Sequence, residues 1–350
     1  MESISFLRCV LITLVVFIHT NLVVDTACEG SSYSIGYDIT GNLLWLANPM
    51  FFAISGYLFF FSSKFSWQIY REKMRRRVRT LLIPYLLWNT ITLVLYSIVW
   101  QLKPSVIGQH VVPIQEMGIM DFLRTYLCVY GEGLDSTPID GPLWFLRNLI
   151  VLSVLSPFFY YIIRAHRLSI ILILSLTFMP TDYSTKSSLL YYMLGCYIGI
   201  WEGKKAEAGI RPLMGKAGCF IYLVCVALRI TLSPHGWSSE LLDLIQNLSG
   251  MIMLADFAQL ILERYPKAIP QLYLNSIFFV FAFHGIIARL LTKGAALYLV
   301  SYHVDIGYYP IAHVINALVS ISICILLYRI TYGISPSLCK ILGAIDIKKQ

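Results

Sequence analysis

Arg8 and His19 are the residues whose types and spacing point most directly to chemistry. Both lie in the stretch Met1–Val24, where Leu7-Arg8-Cys9 opens a run that stays apolar to Ile18 and still encloses His19. The run is long enough to span a bilayer, and its flank, Thr20-Asn21 and then Val23-Val24-Asp25, holds no small-residue cleavage site. Eleven residues separate arginine from histidine, almost three helical turns. The two side chains therefore share a face and stand roughly 16 Å apart along the axis. Charged and titratable side chains at membrane depth are expensive, so that face points into protein or a polar cavity and not at lipid. Arg8 by itself reads equally well as a snorkelling residue at the headgroups. His19 is different, because imidazole titrates near neutrality and can take up a proton for catalysis.

A second candidate is the basic run Lys64, Arg71, Lys73, Arg75, Arg76, Arg77 and Arg79, set against the single acid Glu72. Part of it is an orientation signal, since short cytoplasmic loops are rich in lysine and arginine. Seven cations in so short a stretch exceed that need. Arg76 and Arg79 are spaced i, i+3 on a helix about to enter the membrane, and guanidinium pairs grip phosphate oxygens bidentately. A phosphorylated cytoplasmic ligand fits Arg75, Arg76 and Arg79; anionic lipid headgroups are the competing explanation. His284 lies midway along a late apolar run, and a membrane histidine on a different helix from His19 favours a shared polar cavity. Asn48 and Ser55 repeat at seven residues on one stripe of the second span, and Trp144 opens the fourth at interface depth. These four residues are placed on the cavity or acceptor side.

The elements that carry them are membrane helices. Of the 350 residues 57% are hydrophobic and only 13% charged, and the mean hydropathy is +0.70. A soluble chain of this length carries about 25% charged residues. The expected fold is all-α, a polytopic helix bundle in a bacterial-type inner (cell) membrane. The formal charge of +8 sits mostly in a few short loops and is no nucleic-acid footprint. The eight cysteines form no CxxC and no paired His/Cys spacing, so no metal site is expected. About ten spans are expected, near 4–24, 43–63, 81–101, a fourth opening at Trp144, then 168–183, 187–202, 216–233, 243–262, 274–292 and 309–330. Both termini come out cytoplasmic, with one membrane domain over 1–335 and a short cytoplasmic tail over 336–350.

Several of these segments resemble the acyltransferase-3 family of integral membrane O-acyltransferases. Arg8 and His19 match its Arg-x10-His, and Phe51-Phe52-Ala53-Ile54-Ser55-Gly56-Tyr57 matches its second-span signature. Arg76 and Arg79 before Leu81 and Pro84 match its Arg-x-x-Arg segment. Trp144-Phe145-Leu146 resembles its fourth-span motif, and Ser276 through His284 its late one, although Val280 and Ala282 stand where relatives often carry tyrosine or isoleucine. Many relatives append a soluble hydrolase-like domain, which is not expected here. The resemblance implies transfer of an acyl group, expected to be acetyl, from acyl-CoA as a co-substrate with no bound cofactor. The acceptor it implies is a hydroxyl of a glycan or lipid-linked sugar. His19 would act as base, or itself take up the acyl group first; Arg8 would orient the thioester or steady the oxyanion; Arg75, Arg76 and Arg79 would hold the donor. The rival is a transporter or flippase of sugar-lipid intermediates, but no matching halves with broken helices are visible in the sequence.

The topology is testable by impermeant thiol labelling of single-cysteine variants. A cysteine at position 73 should label only after permeabilisation, and one at position 28 or 128 in intact cells; position 73 labelling from outside overturns the orientation.

Overall fold

The computed structural model describes residues 2–20, 41–61, 65–102, 114–128, 137–203, 212–232, 235–302 and 308–343. Among them there are helices and no strand. In chain order they are α1 (Glu2–His19), α2 (Ala47–Phe60), α3 (Trp67–Arg77), α4 (Ile83–Leu102), α5 (Ile119–Leu127), α6 (Trp144–Ala165) and α7 (Ser169–Ser175). The rest are α8 (Tyr183–Trp201), α9 (Pro212–Leu232), α10 (Trp237–Arg264), α11 (Gln271–Ser301), α12 (Tyr309–Ile334) and α13 (Pro336–Ile341).

Among the described residues, eight helices are long and apolar enough to cross a bilayer. Two of the ten expected spans take another form. The segment near 168–183 is only α7 with a following 3₁₀ turn, Leu176–Phe178, too short to cross by itself. The segment near 187–202 is α8, which starts earlier and whose first turns read Tyr183-Ser-Thr-Lys-Ser-Ser188. Asp182 caps it by accepting from the Thr185 N–H at 2.7 Å. α8 tolerates this polar start because it is sheathed in protein, with Ser187, Leu190, Tyr192, Cys196 and Gly199 all buried.

α8 packs closely on α2. A Cβ on Gly195 would fall 2.0 Å from the Ala53 carbonyl oxygen, and one on Gly56 2.1 Å from that of Tyr192. The two backbones touch, which requires glycine on both sides. α1 sits among α2, α10, α11 and α12, with Leu7, Cys9, Leu11, Ile12, Val15 and Val16 buried. It runs parallel to α11: the Thr13 and Tyr273 hydroxyls meet at 2.7 Å, and His19 meets His284 farther along.

α3 continues into α4 through a π-helical turn, Val78–Leu82, closed by the Ile83 N–H donating to the Val78 carbonyl. Pro84 explains the turn. It has no N–H to offer the Thr80 carbonyl, and its ring crowds that group in a regular helix; the wider turn relieves both problems. At the other end of the chain, α13 begins the expected tail and is packed. Cys339 is buried, and the Trp88 indole N–H donates to the Leu342 carbonyl at 3.1 Å.

The α2–α8 contact gives a stability prediction. Gly56→Val and Gly195→Val should each cost at least about 3 kcal/mol, read as a loss of monodisperse protein on heating in fluorescence-detected size exclusion. Gly294→Ala, with nothing within 4 Å of the added carbon, should change nothing.

Candidate active site

α1 and α11 bring His19 and His284 together, with ring centroids 5.2 Å apart and planes at 51°. His284 is fully buried. Its Nδ1 lies 2.7 Å from the Phe281 carbonyl and 3.1 Å from that of Val280. Carbonyls only accept, so Nδ1 carries the proton and Nε2 is left with its lone pair. That Nε2 is buried and has no hydrogen-bond partner. His19 closes α1 and keeps an exposed surface, although protein atoms crowd around it.

More polar groups converge here. The Arg289 guanidinium bears electrostatically on His19 and donates through Nη1 to the Tyr96 hydroxyl. Asp140 is buried beside it, with its N–H donating to Asn89 Oδ1 at 3.2 Å and its Oδ2 without a partner. Gly285 lets the Asp140–Leu143 turn close against the histidines: a Cβ there would lie 2.8 Å from Pro142 Cγ. Trp144 follows that turn, half-buried, with its ring 6.1 Å from that of Phe52. Asn48 is half-buried in the first turn of α2, the end of that helix nearest the His19 side in the chain.

The opposite end is basic, and the residue that turns inward there is Arg77. Through Nη1 it donates to Ser153 Oγ at 2.5 Å and through Nη2 to the Ser55 carbonyl at 3.5 Å. Its guanidinium carbon lies 4.9 Å from the Phe59 ring centroid, and Lys73 donates to the Phe59 carbonyl. Ser55 thus belongs to this basic end. Arg75, Arg76 and Arg79 are exposed. The i, i+3 spacing of Arg76 and Arg79 implies one shared face only in a regular α-helix, and Arg79 already lies inside the π turn.

Arg8 bears electrostatically on Arg77 and lines a cavity of about 840 Å³ at the start of α1. Lys267, Gln271 and Asn275 line it as well, and its volume falls in the range of small-molecule sites, about 300–1,000 Å³. Sequence reasoning gave no site role to Arg77, Lys267 or Arg289. Pro84, four residues beyond Thr80, was the available signal for the first.

α1 therefore links a basic cavity at one end to a histidine pair at the other. Such a helix can hold an anionic group at the first and move a proton at the second.

The chain is 26% identical over 212 residues to the succinoglycan biosynthesis protein ExoH of Rhizobium meliloti, a match covering 56% of this chain and 53% of that protein. The chain thus spans about half the length of this curated relative. No solved structure matches it. A family model described as an acyltransferase domain matches residues 1–329, nearly the whole chain, and its Arg8, His19, Arg77 and His284 all lie within that match: this multi-pass membrane protein belongs to the acyltransferase-3 family.

Proposed function

We propose that the protein transfers an acyl group, with acetyl the expected one, from cytoplasmic acyl-CoA to a hydroxyl of a cell-envelope glycan or lipid-linked sugar. The observation that carries this reading is the His19–His284 pair, in which the unpartnered Nε2 of the fully buried His284 lies beside His19. Family membership and the succinoglycan biosynthesis relative support it.

In the transfer, the acceptor oxygen attacks the thioester carbonyl, a C–O bond forms, the C–S bond breaks, and coenzyme A leaves as the thiol. His19 takes the hydroxyl proton and returns it to the departing sulfur. His284 is a positioning residue. Its Nδ1–H is committed to the Phe281 and Val280 carbonyls, so its Nε2 can only accept, and it favours the His19 tautomer that directs an N–H toward it. The other His19 nitrogen is then the base. Arg289, the guanidinium that bears on His19, steadies the oxyanion on the thioester carbonyl.

Arg8 has a different task. Roughly 16 Å of helix rise separates it from His19, beyond the reach of its side chain, so it serves the donor and not the oxyanion. Arg8, with Lys267 across the cavity, and Arg77, which bears on Arg8, meet the phosphates of coenzyme A. The pantetheine arm then runs along α1 toward His19. Arg75, Arg76 and Arg79 form an exposed basic apron that attracts the anion from solution.

Release of free thiol from acetyl-CoA by purified protein, with an acceptor glycan present, tests this. His19→Ala should lower turnover by roughly two to four orders of magnitude with donor affinity retained; an inserted His19→Ala protein with wild-type turnover makes the histidine structural. Arg77→Gln should raise the acetyl-CoA concentration for half-saturation about ten- to hundredfold, the effect of losing a charge-assisted contact of about 1.5–3 kcal/mol. Arg79→Gln should shift it about twofold at most, as expected for an exposed charge. Equal effects at the two positions would show that the π turn does not select Arg77.

A further inference from the structure

Gly285, next to His284, closes against Pro142, and Trp144 just beyond meets Phe52 in the first half of α2, so the start of α2 lies at the His19 end of the bundle. An opening of about 310 Å³ lies there, lined by Trp45, Tyr183, Arg229, Asp243 and Gln246 among others. Trp45 is half-exposed, and its ring meets that of Tyr183 edge-on at 5.5 Å. Arg229 donates through Nη2 to the Asp243 carboxylate and through Nε to Gln246 Oε1 at 3.3 Å. Gln246 in turn donates to the Asn42 carbonyl at 2.9 Å. A small cavity of about 20 Å³, bordered by Tyr183, Lys186 and Asp243, shares its walls with this opening and with a second one of about 540 Å³. There the buried Lys186 pairs with Glu240, beside the exposed Trp237.

The chemistry of this groove narrows what it can hold. Each of its two cations is matched by a carboxylate, so it carries no net positive field for a phosphate or an acidic headgroup. Interfacial tryptophans alone are common at membrane surfaces. Half-buried ion pairs are not explained that way, because desolvating them costs free energy that an apolar lining avoids. An Arg–Asp pair presents donors and acceptors side by side, which suits neighbouring hydroxyls that each donate and accept. An accessible aromatic face suits the C–H surface of a pyranose ring.

We propose that this two-lobed groove is the acceptor site, binding an uncharged oligosaccharide segment of at least two sugar units at the His19 end of the bundle. One lobe is built on Trp45 with Arg229–Asp243, the other on Trp237 with Lys186–Glu240. That the bound sugar is the acyl acceptor rests on the transferase reading; that the groove binds sugar does not.

The test uses the full-length protein in lipid nanodiscs without acyl donor. The probes are oligosaccharides of one to eight sugars, released from the surface glycan of the producing cells and stripped of esters with alkali, titrated by calorimetry. Wild-type protein should bind tetrasaccharides at least tenfold more tightly than monosaccharides. Trp45→Ala and Trp237→Ala should each weaken the tetrasaccharide tenfold or more, with coenzyme A binding unchanged. Trp237 is the more exposed of the two, so its variant remains readable if Trp45→Ala accumulates poorly. Absence of sugar binding by wild type, or wild-type affinity in inserted Trp237→Ala, overturns the proposal; so does a fall in inserted protein with sugar affinity intact, the mark of an interfacial anchor only. Thiol release on the same samples separates the two readings. Tryptophan-dependent sugar binding without acyl transfer removes the transferase reading and keeps the groove, while acyl transfer with tryptophan-independent sugar affinity does the reverse.

Discussion

Everything in this molecule follows from the need to keep the polar groups of α1 away from lipid. A guanidinium near one end and an imidazole at the other leave an apolar helix with no lipid-compatible orientation for that face. The bundle answers by placing α1 among α2, α10, α11 and α12. Arg8 then opens onto a cavity and His19 onto His284. The seven buried apolar side chains of α1 seat it in that position. The helix that carries Arg8 and His19 is thereby packed against four others.

The same economy governs the basic end. Pro84 cannot complete a regular turn, and the π segment it imposes begins directly after Arg77 and takes in Arg79. Widening the helix by a fraction of a turn changes which arginine faces the bundle. Arg77 reaches Ser153 and the Ser55 carbonyl, while its neighbours on both sides remain in solvent. The Ser55–Gly56 pair serves two purposes at once. The serine carbonyl anchors Arg77, and the glycine lets α2 meet α8 backbone to backbone.

How much of this was legible in the sequence depended on the range of the interaction involved. Arg8, His19 and His284 stood out because a polar residue inside an apolar run has few structural explanations, and the structure pairs the two histidines. Arg77 did not stand out, because the i, i+3 rule assumes a uniform helical repeat and a single proline changed it. The 168–183 and 187–202 segments read as two short spans; α8 is sheathed by protein, which permits its Ser/Thr/Lys start. The groove was illegible in principle. Lys186, Arg229, Glu240 and Asp243 look individually like charges at span ends, and only the packing of α8, α9 and α10 assembles them into two matched pairs. Cys28 lies outside the described residues.

The central claim is that a single helix connects donor recognition to proton transfer. Electron cryo-microscopy of the full-length protein in nanodiscs with bound coenzyme A tests it most directly. The account predicts density for the phosphates against Arg8 and Arg77 and an extended arm along α1, with the thiol sulfur within about 4 Å of the His19 ring, the van der Waals range. Coenzyme A held on the exposed Arg75, Arg76 and Arg79 surface, with its thiol turned away from His19, would contradict it.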